Sequence, residues 1–235
     1  SFTELLPWVE YLPEARAFLL EDGVSVGALF DLIPVGTEAR SQDFLEGLRE
    51  AVQITLSDAI PERDEAPWVL QIYVQDEPDL GDLAKALNSY SETPDGPFSR
   101  SHVDTMAAHL ARITKPGGVF VDEAVSGGAW RGQQRRVRAT LYRRLATHEH
   151  RRSALEVEAE LNEVAAKWTS ALAAAGIRVA RCTGEGFYQW LLPWFNPAPA
   201  GGPPDSRAGL ALAPYPGDEA LPFGTDFAER LTLSM

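Results

Sequence analysis

Gln134-Arg-Arg-Val-Arg-Ala-Thr-Leu-Tyr-Arg-Arg-Leu145 reads as a β-strand with one apolar and one basic face. Val137, Ala139 and Leu141 alternate with Arg136, Arg138, Thr140 and Tyr142, the two-residue period of a pleated strand. Such a one-sided strand fits an α+β protein: a largely antiparallel sheet with its helices mainly on one face. The same stretch concentrates charge. Residues 131–152 hold eight Arg and one acid, Glu149, for a net +7, while the rest of the chain carries −20.

Outward from this strand the pattern stays regular. Ser153-x-x-Glu156 is a capping box, and the helix behind it runs to Gly176 with Val157, Leu161, Val164, Trp168 and Leu172 on one stripe. Ile177–Cys182 is the next strand, and the aromatic segment Phe187–Phe195 follows. Upstream, Ala17–Glu21 and Val24–Ile33 flank Asp22-Gly23, which favours a type I′ hairpin turn. Val24, Val26, Ala28 and Phe30 share one face of it. Ser41 caps a helix carrying Leu45, Leu48, Val52, Leu56 and Ile60. Trp68–Val74 is apolar on both faces, which predicts a central strand. Asp79 caps a short helix, and Ser101 starts another that ends at Lys115-Pro-Gly-Gly. About five strands result, in two strand–helix–strand units around a helical insertion. From Asn196 on, seven of the 17 prolines fall within 40 residues, which predicts an extended linker over 196–235 after an α+β domain over 1–195.

With 235 residues, 45% hydrophobic and 23% charged, the chain is long and apolar enough to bury a core. The net charge of −13 argues against nucleic acid or an anionic membrane as a whole-protein partner. A single cysteine, Cys182, rules out an intrachain disulfide. No run reaches the roughly 18–20 apolar residues of a membrane span, and no signal peptide opens the chain. The missing initial Met and the abrupt end at Met235 read as the edges of a piece of a longer protein.

The phosphate loop G-x-x-x-x-G-K-[ST] does not occur. Lys85, Lys115 and Lys167 all lie outside such a context. Gly184-Glu-Gly186 follows a strand but lacks the third glycine of a dinucleotide fingerprint, so it reads as a tight strand-to-helix turn. His102, His109, His148 and His150 have no carboxylate or thiolate cluster at ligand spacing. Cys182 reads as a buried structural thiol, and Asp76-Glu77-Pro78-Asp79 as solvated charges at a helix start. Catalytic, cofactor-binding and metal-ligating residues are accordingly expected to be absent from this chain.

The basic face admits three readings: a surface paired internally with acids, a docking face for an acidic partner, and a phosphate track with Tyr142 stacking on bases. Docking is the reading adopted. Its candidate residues are Arg136, Arg138, Tyr142 and Arg144, joined by Trp190 and Trp194 of the aromatic segment.

Four stretches carry a family resemblance. Leu6-Pro-Trp-Val-Glu-Tyr-Leu-Pro13, Phe18–Gly27, Phe187–Pro197 ending Trp-Phe-Asn-Pro, and Leu221–Glu229 occur in that order. They resemble the N-terminal part of TraC-type conjugative-transfer ATPases, the motors of bacterial type IV secretion systems carried by integrative conjugative elements. The resemblance implies a non-catalytic docking and assembly domain. The parent would be an ATPase whose ATP and Mg²⁺ site lies in a separate motor domain that powers pilus assembly and DNA or protein export. It implies as partners the inner-membrane components of the secretion channel, the motor domain itself and further copies in a homo-oligomer. It also implies a cytoplasmic location, peripheral to the inner membrane through those partners. Two other readings stand beside it: a stand-alone α+β enzyme or nucleotide-binding domain, and a single-stranded nucleic-acid-binding module.

Overall fold

The computed structural model describes residues 6–62, 65–77, 80–90, 93 and 95–195. In chain order they form β1 (Trp8–Leu12), β2 (Ala17–Leu20), β3 (Val26–Ile33), α1 (Gln42–Ala59), β4 (Trp68–Glu77), α2 (Gly81–Ser89) and α3 (Pro97–Ile113). There follow β5 (Phe120–Val121), β6 (Ala129–Trp130), β7 (Gln134–Arg143), a 3₁₀ turn (Thr147–Arg151), α4 (Ala154–Ala174), β8 (Arg178–Arg181) and α5 (Gly184–Phe195). The fold is α+β. The main sheet has six strands in the order β1-β2-β3-β7-β4, with β8 also paired to β3. The expected strand–helix–strand units are β3-α1-β4 and β7-α4-β8. The linker expected over 196–235 and Asp79 both lie outside the described residues.

β3 organises the sheet. The Leu20 amide donates to the Ser25 carbonyl at 2.8 Å, and the Cys182 amide donates to the Leu29 carbonyl at 2.9 Å. Positions 25 and 29 have the same parity, so β2 and β8 share one edge of β3, end to end. β7 takes the other edge. The register Phe18↔Gly27 and Phe30↔Arg181 is antiparallel on both partners.

Both faces of β3 are buried. Val26, Ala28 and Phe30 join Ala139 and Leu141 of β7 and Val157, Leu161, Val164, Trp168 and Leu172 of α4 in one core. Leu29 points the other way and joins Trp8, Phe18, Leu20, Phe187, Tyr188 and Leu191. Thus α5 covers the face opposite α4. The close approach there needs a glycine: a Cβ on Gly27 would sit 2.7 Å from the Trp8 ring and 2.8 Å from Tyr142 Cβ.

Three local expectations change. The hairpin turn is longer than type I′: Gly23 has φ +72, and Asp22 is not among the residues of positive φ. Instead the Asp22 carboxylate accepts from the Val24 and Ser25 amides at 3.0 and 2.8 Å, a side-chain turn that competes with the tight hairpin. β4 ends the sheet order rather than lying at its centre. Its apolar run serves two different needs: Trp68 and Leu70 pack on the α4 core, Tyr73 meets Trp190, and Ile72 and Val74 remain exposed. α3 starts four residues before Ser101, at Pro97, whose fixed φ suits a first helical position.

The chain divides into two compact units. Residues up to Tyr73 and from Arg138 onward form the first, and Val74–Val137 form the second. Within the second, α2 packs on α3, and β5 pairs with β6 under the stacked rings of Phe120 and Trp130.

Trp168 sits 1% exposed with its ring 5.1 Å from Phe30. Trp168→Ala is expected to destabilise the protein by roughly 3–5 kcal/mol in urea melts, through lost burial and a residual cavity.

Candidate functional site

β7 sets the geometry of the candidate residues in the first unit. Arg138 projects from the face that α5 covers. Its Nε lies 2.9 Å from Asp31 Oδ1, and its guanidinium stacks 4.7 Å from the centroid of Trp190. Trp190 in turn meets Tyr73 edge-on at 5.3 Å and Phe187 at 5.8 Å. Asp31 also accepts the Cys182 S–H at 3.2 Å. Burial, then the Asp31 charge, pushes the Cys182 thiol far up, so it stays protonated and inert. Tyr142 is half-buried against Trp8, rings 5.7 Å apart.

The remaining candidates stand apart from this cluster. Arg144 pairs with Glu21 at 2.5 Å, both about half exposed. Trp194 is 59% exposed at the end of α5. Arg136 belongs to the second unit, where it pairs with Glu77 at 2.5 Å, as Arg135 does with Asp76 at 3.0 Å. The structure therefore gathers Arg138, Tyr142 and Trp190 between β7 and α5. Every candidate arginine has an acidic neighbour.

Sequence reading missed Arg143. The period of two that places Leu141 and Leu145 inward places Arg143 inward as well, and it is 3% exposed. Its guanidinium forks onto Glu149 at 2.8 and 3.0 Å and reaches Glu160 of α4 at 3.1 Å. Arg152 closes the group at 2.5 Å from Glu160. The signal was present in Glu149, the lone acid of the basic island. The Arg143 hydrogen bond holds the Glu149 carboxyl down at about 2, against the opposing effect of burial.

The histidines do not converge. His150 meets the Leu145 carbonyl at 3.2 Å, His148 lies 3.8 Å from Glu65, and His109 meets Arg112 on α3 at 3.2 Å. Among the described residues no cluster of His, Cys, Asp or Glu could hold a metal. Gly184-Glu-Gly186 opens α5, with the Gly186 amide donating to Thr183 Oγ1 at 3.1 Å.

A family model described as TraC protein matches residues 2–235. The chain belongs to the TraC family of type IV conjugative transfer. The match spans all four stretches that carried the resemblance, including Leu221–Glu229. No curated protein and no solved structure matches the chain. Among the described residues no helix is long and apolar enough to cross a membrane.

Two outcomes follow from these contacts. Because the Glu149 pKa is depressed, its contribution is present above its unfolded value near 4.5 and is lost as pH falls toward about 2. The melting temperature should therefore drop between about pH 5 and pH 2, and drop less in Glu149→Gln. Arg138→Glu sets a second carboxylate beside half-exposed Asp31 and should lower stability by about 1–2 kcal/mol, whereas Arg144→Glu at an exposed pair should leave the melt nearly unchanged.

Proposed function

We propose that this chain is the non-catalytic docking and assembly part of a conjugative-transfer ATPase, the motor of a type IV secretion system. The observation that carries the reading is the family match over 2–235 in a sequence without a phosphate loop. Holding a triphosphate takes backbone amides at a helix start, a lysine and a hydroxyl for Mg²⁺, and no stretch here combines them. ATP and Mg²⁺ would then be bound by a motor domain elsewhere in the parent protein. The part described here would sit in the cytoplasm and reach the inner membrane through channel components, in a homo-oligomer of the parent.

The docking surface in this reading centres on Arg144 and Trp194. An exposed ion pair such as Arg144–Glu21 contributes little, so an acidic segment of a channel component can replace Glu21 with small loss. Trp194 supplies an exposed aromatic anchor of the kind that dominates interface energies. Arg138 and Trp190 hold α5 on the sheet and so position that anchor.

Two measurements test the reading. Titration of Mg-ATP into the chain should give no binding heat, and a micromolar site would overturn the non-catalytic assignment. Arg144→Glu with Trp194→Ala in the parent protein should lower conjugative transfer and co-precipitation of channel components while the thermal melt is kept. Unchanged transfer and co-precipitation would remove this surface from the docking role.

A further inference from the structure

A cleft in the first unit, about 620 Å³ in volume, opens between the β1–β2 turn, the end of β8 and α4. Arg16, Phe30, Asn162, Ala165 and Arg181 are among its lining residues. Arg181 reaches it with a guanidinium that is only partly satisfied. Nη1 donates to Asn162 Oδ1 at 2.6 Å, and the plane lies 5.9 Å from the Phe30 ring. Nε and Nη2 are buried without a hydrogen-bond partner. Buried donors of a cation are rarely left unmade, because they have lost water and gained nothing in exchange.

The two orphaned groups form a pattern. Nε–H and the Nη2–H beside it lie on one edge of the guanidinium and point in parallel. This is the fork that takes two oxygens of one carboxylate or phosphate. A second cation stands close by. Arg16 is exposed on the β1–β2 turn, held there with φ +52, a conformation few non-glycine residues adopt. Burial and then the Arg16 charge both disfavour the Arg181 cation, pulling its pKa down to about 10. Glu14 lines the same cleft yet forms no ion pair with either arginine. In a chain of net charge −13, two neighbouring cations therefore stand without an acidic partner among the described residues, while Arg138, Arg143 and Arg144 each have one.

We propose that this cleft binds a single oxyanion, the phosphate or carboxylate group of a small ligand, held side-on by Arg181 Nε and Nη2 with Arg16 as the second cation. The anion would satisfy the orphaned donors and cancel the Arg16–Arg181 repulsion together. Phe30, Ala165 and Val179 give the body of such a ligand an apolar wall. Glu14 and Arg16, the long side chains on the exposed turn, are the ones able to swing aside and admit it. The site is independent of the docking reading, since neither Arg144 nor Trp194 takes part.

The test follows the arginine Nε–Hε resonances of the 235-residue chain by NMR at constant ionic strength. Inorganic phosphate and acetate are added in separate titrations. The Arg181 signal, assigned by its loss in Arg181→Lys, should shift saturably with at least one anion. A shift with phosphate alone marks a phosphate site, and a shift with acetate marks a carboxylate site. Arg181→Lys keeps the charge and loses the fork, so the affinity read from neighbouring amides should fall roughly tenfold or more. Arg16→Gln, on an exposed turn, should weaken binding severalfold and decides the matter should Arg181→Lys fail to fold. No saturable shift with either anion, or equal affinity in wild type and Arg16→Gln, would overturn the proposal.

Discussion

The buried Arg143–Glu149–Glu160 group is the constraint from which the rest of the fold follows. A guanidinium that is 3% exposed must be neutralised where it lies. Arg143 sits near the end of β7, Glu149 in the 3₁₀ turn after it, and Glu160 on the second turn of α4. The three charges therefore fix the path of the chain from sheet to helix. They fix the register too: a slip of one residue would turn Arg143 to the other face, away from both acids, and carry Leu141 with it. Because β7 lies between β3 and β4, and α4 packs on β3 through Trp168 and Phe30, that register governs both neighbours.

The opposite face obeys a different balance. Arg138, Thr140 and Tyr142 would be poor core residues by composition, yet α5 covers them. The covering works because the two most buried polar side chains find partners: Arg138 has Asp31 and the Trp190 ring, and Thr140 donates to Gln71 at 3.2 Å. In a body of net charge −20 around a basic island, acids are close at hand for most arginines. Apart from the Arg143 group, the sheet is thus apolar against α4, whereas against α5 it adds an ion pair and stacked rings to its apolar contacts. Of the candidate docking residues, Arg144 and Trp194 are the ones that face solvent most openly.

Much of this was legible in the sequence. The Ser153–Glu156 box, the α4 stripe and the Gly176 stop specify a helix by local chemistry, and the structure places them as read. Of the inward set Val137, Ala139 and Leu141, the last two lie in the core, legible because strand period is rigid, while Val137 is only half-buried. Arg143 was missed although the same period marks it, because an arginine interrupts the apolar row from which the inward face is read. β4 looked central because periodicity counts apolar residues on each face and cannot see whether a further strand pairs beyond. The anion cleft has no sequence signature at all, since Arg16 and Arg181 are brought together by long-range pairing of β8 with β3. The Arg-face candidates scattered for the same kind of reason: which acids stand opposite depends on β3 and β4, not on β7.

The shared edge of β3 has a consequence for biosynthesis. Its first half is matched at once by β2, only a turn away, whereas Phe30–Ile33 must wait for β8. β8 emerges about 145 residues later, so at translation speeds of 5–20 residues per second half an edge stands open for roughly 7–30 seconds. An unfilled apolar edge of that kind is a template for wrong strand pairing, within one nascent chain or between chains on a polysome. Asp31 lies in the middle of the waiting stretch. Its charge, later neutralised by Arg138, makes the open edge a poor partner for anything that arrives before its own strand.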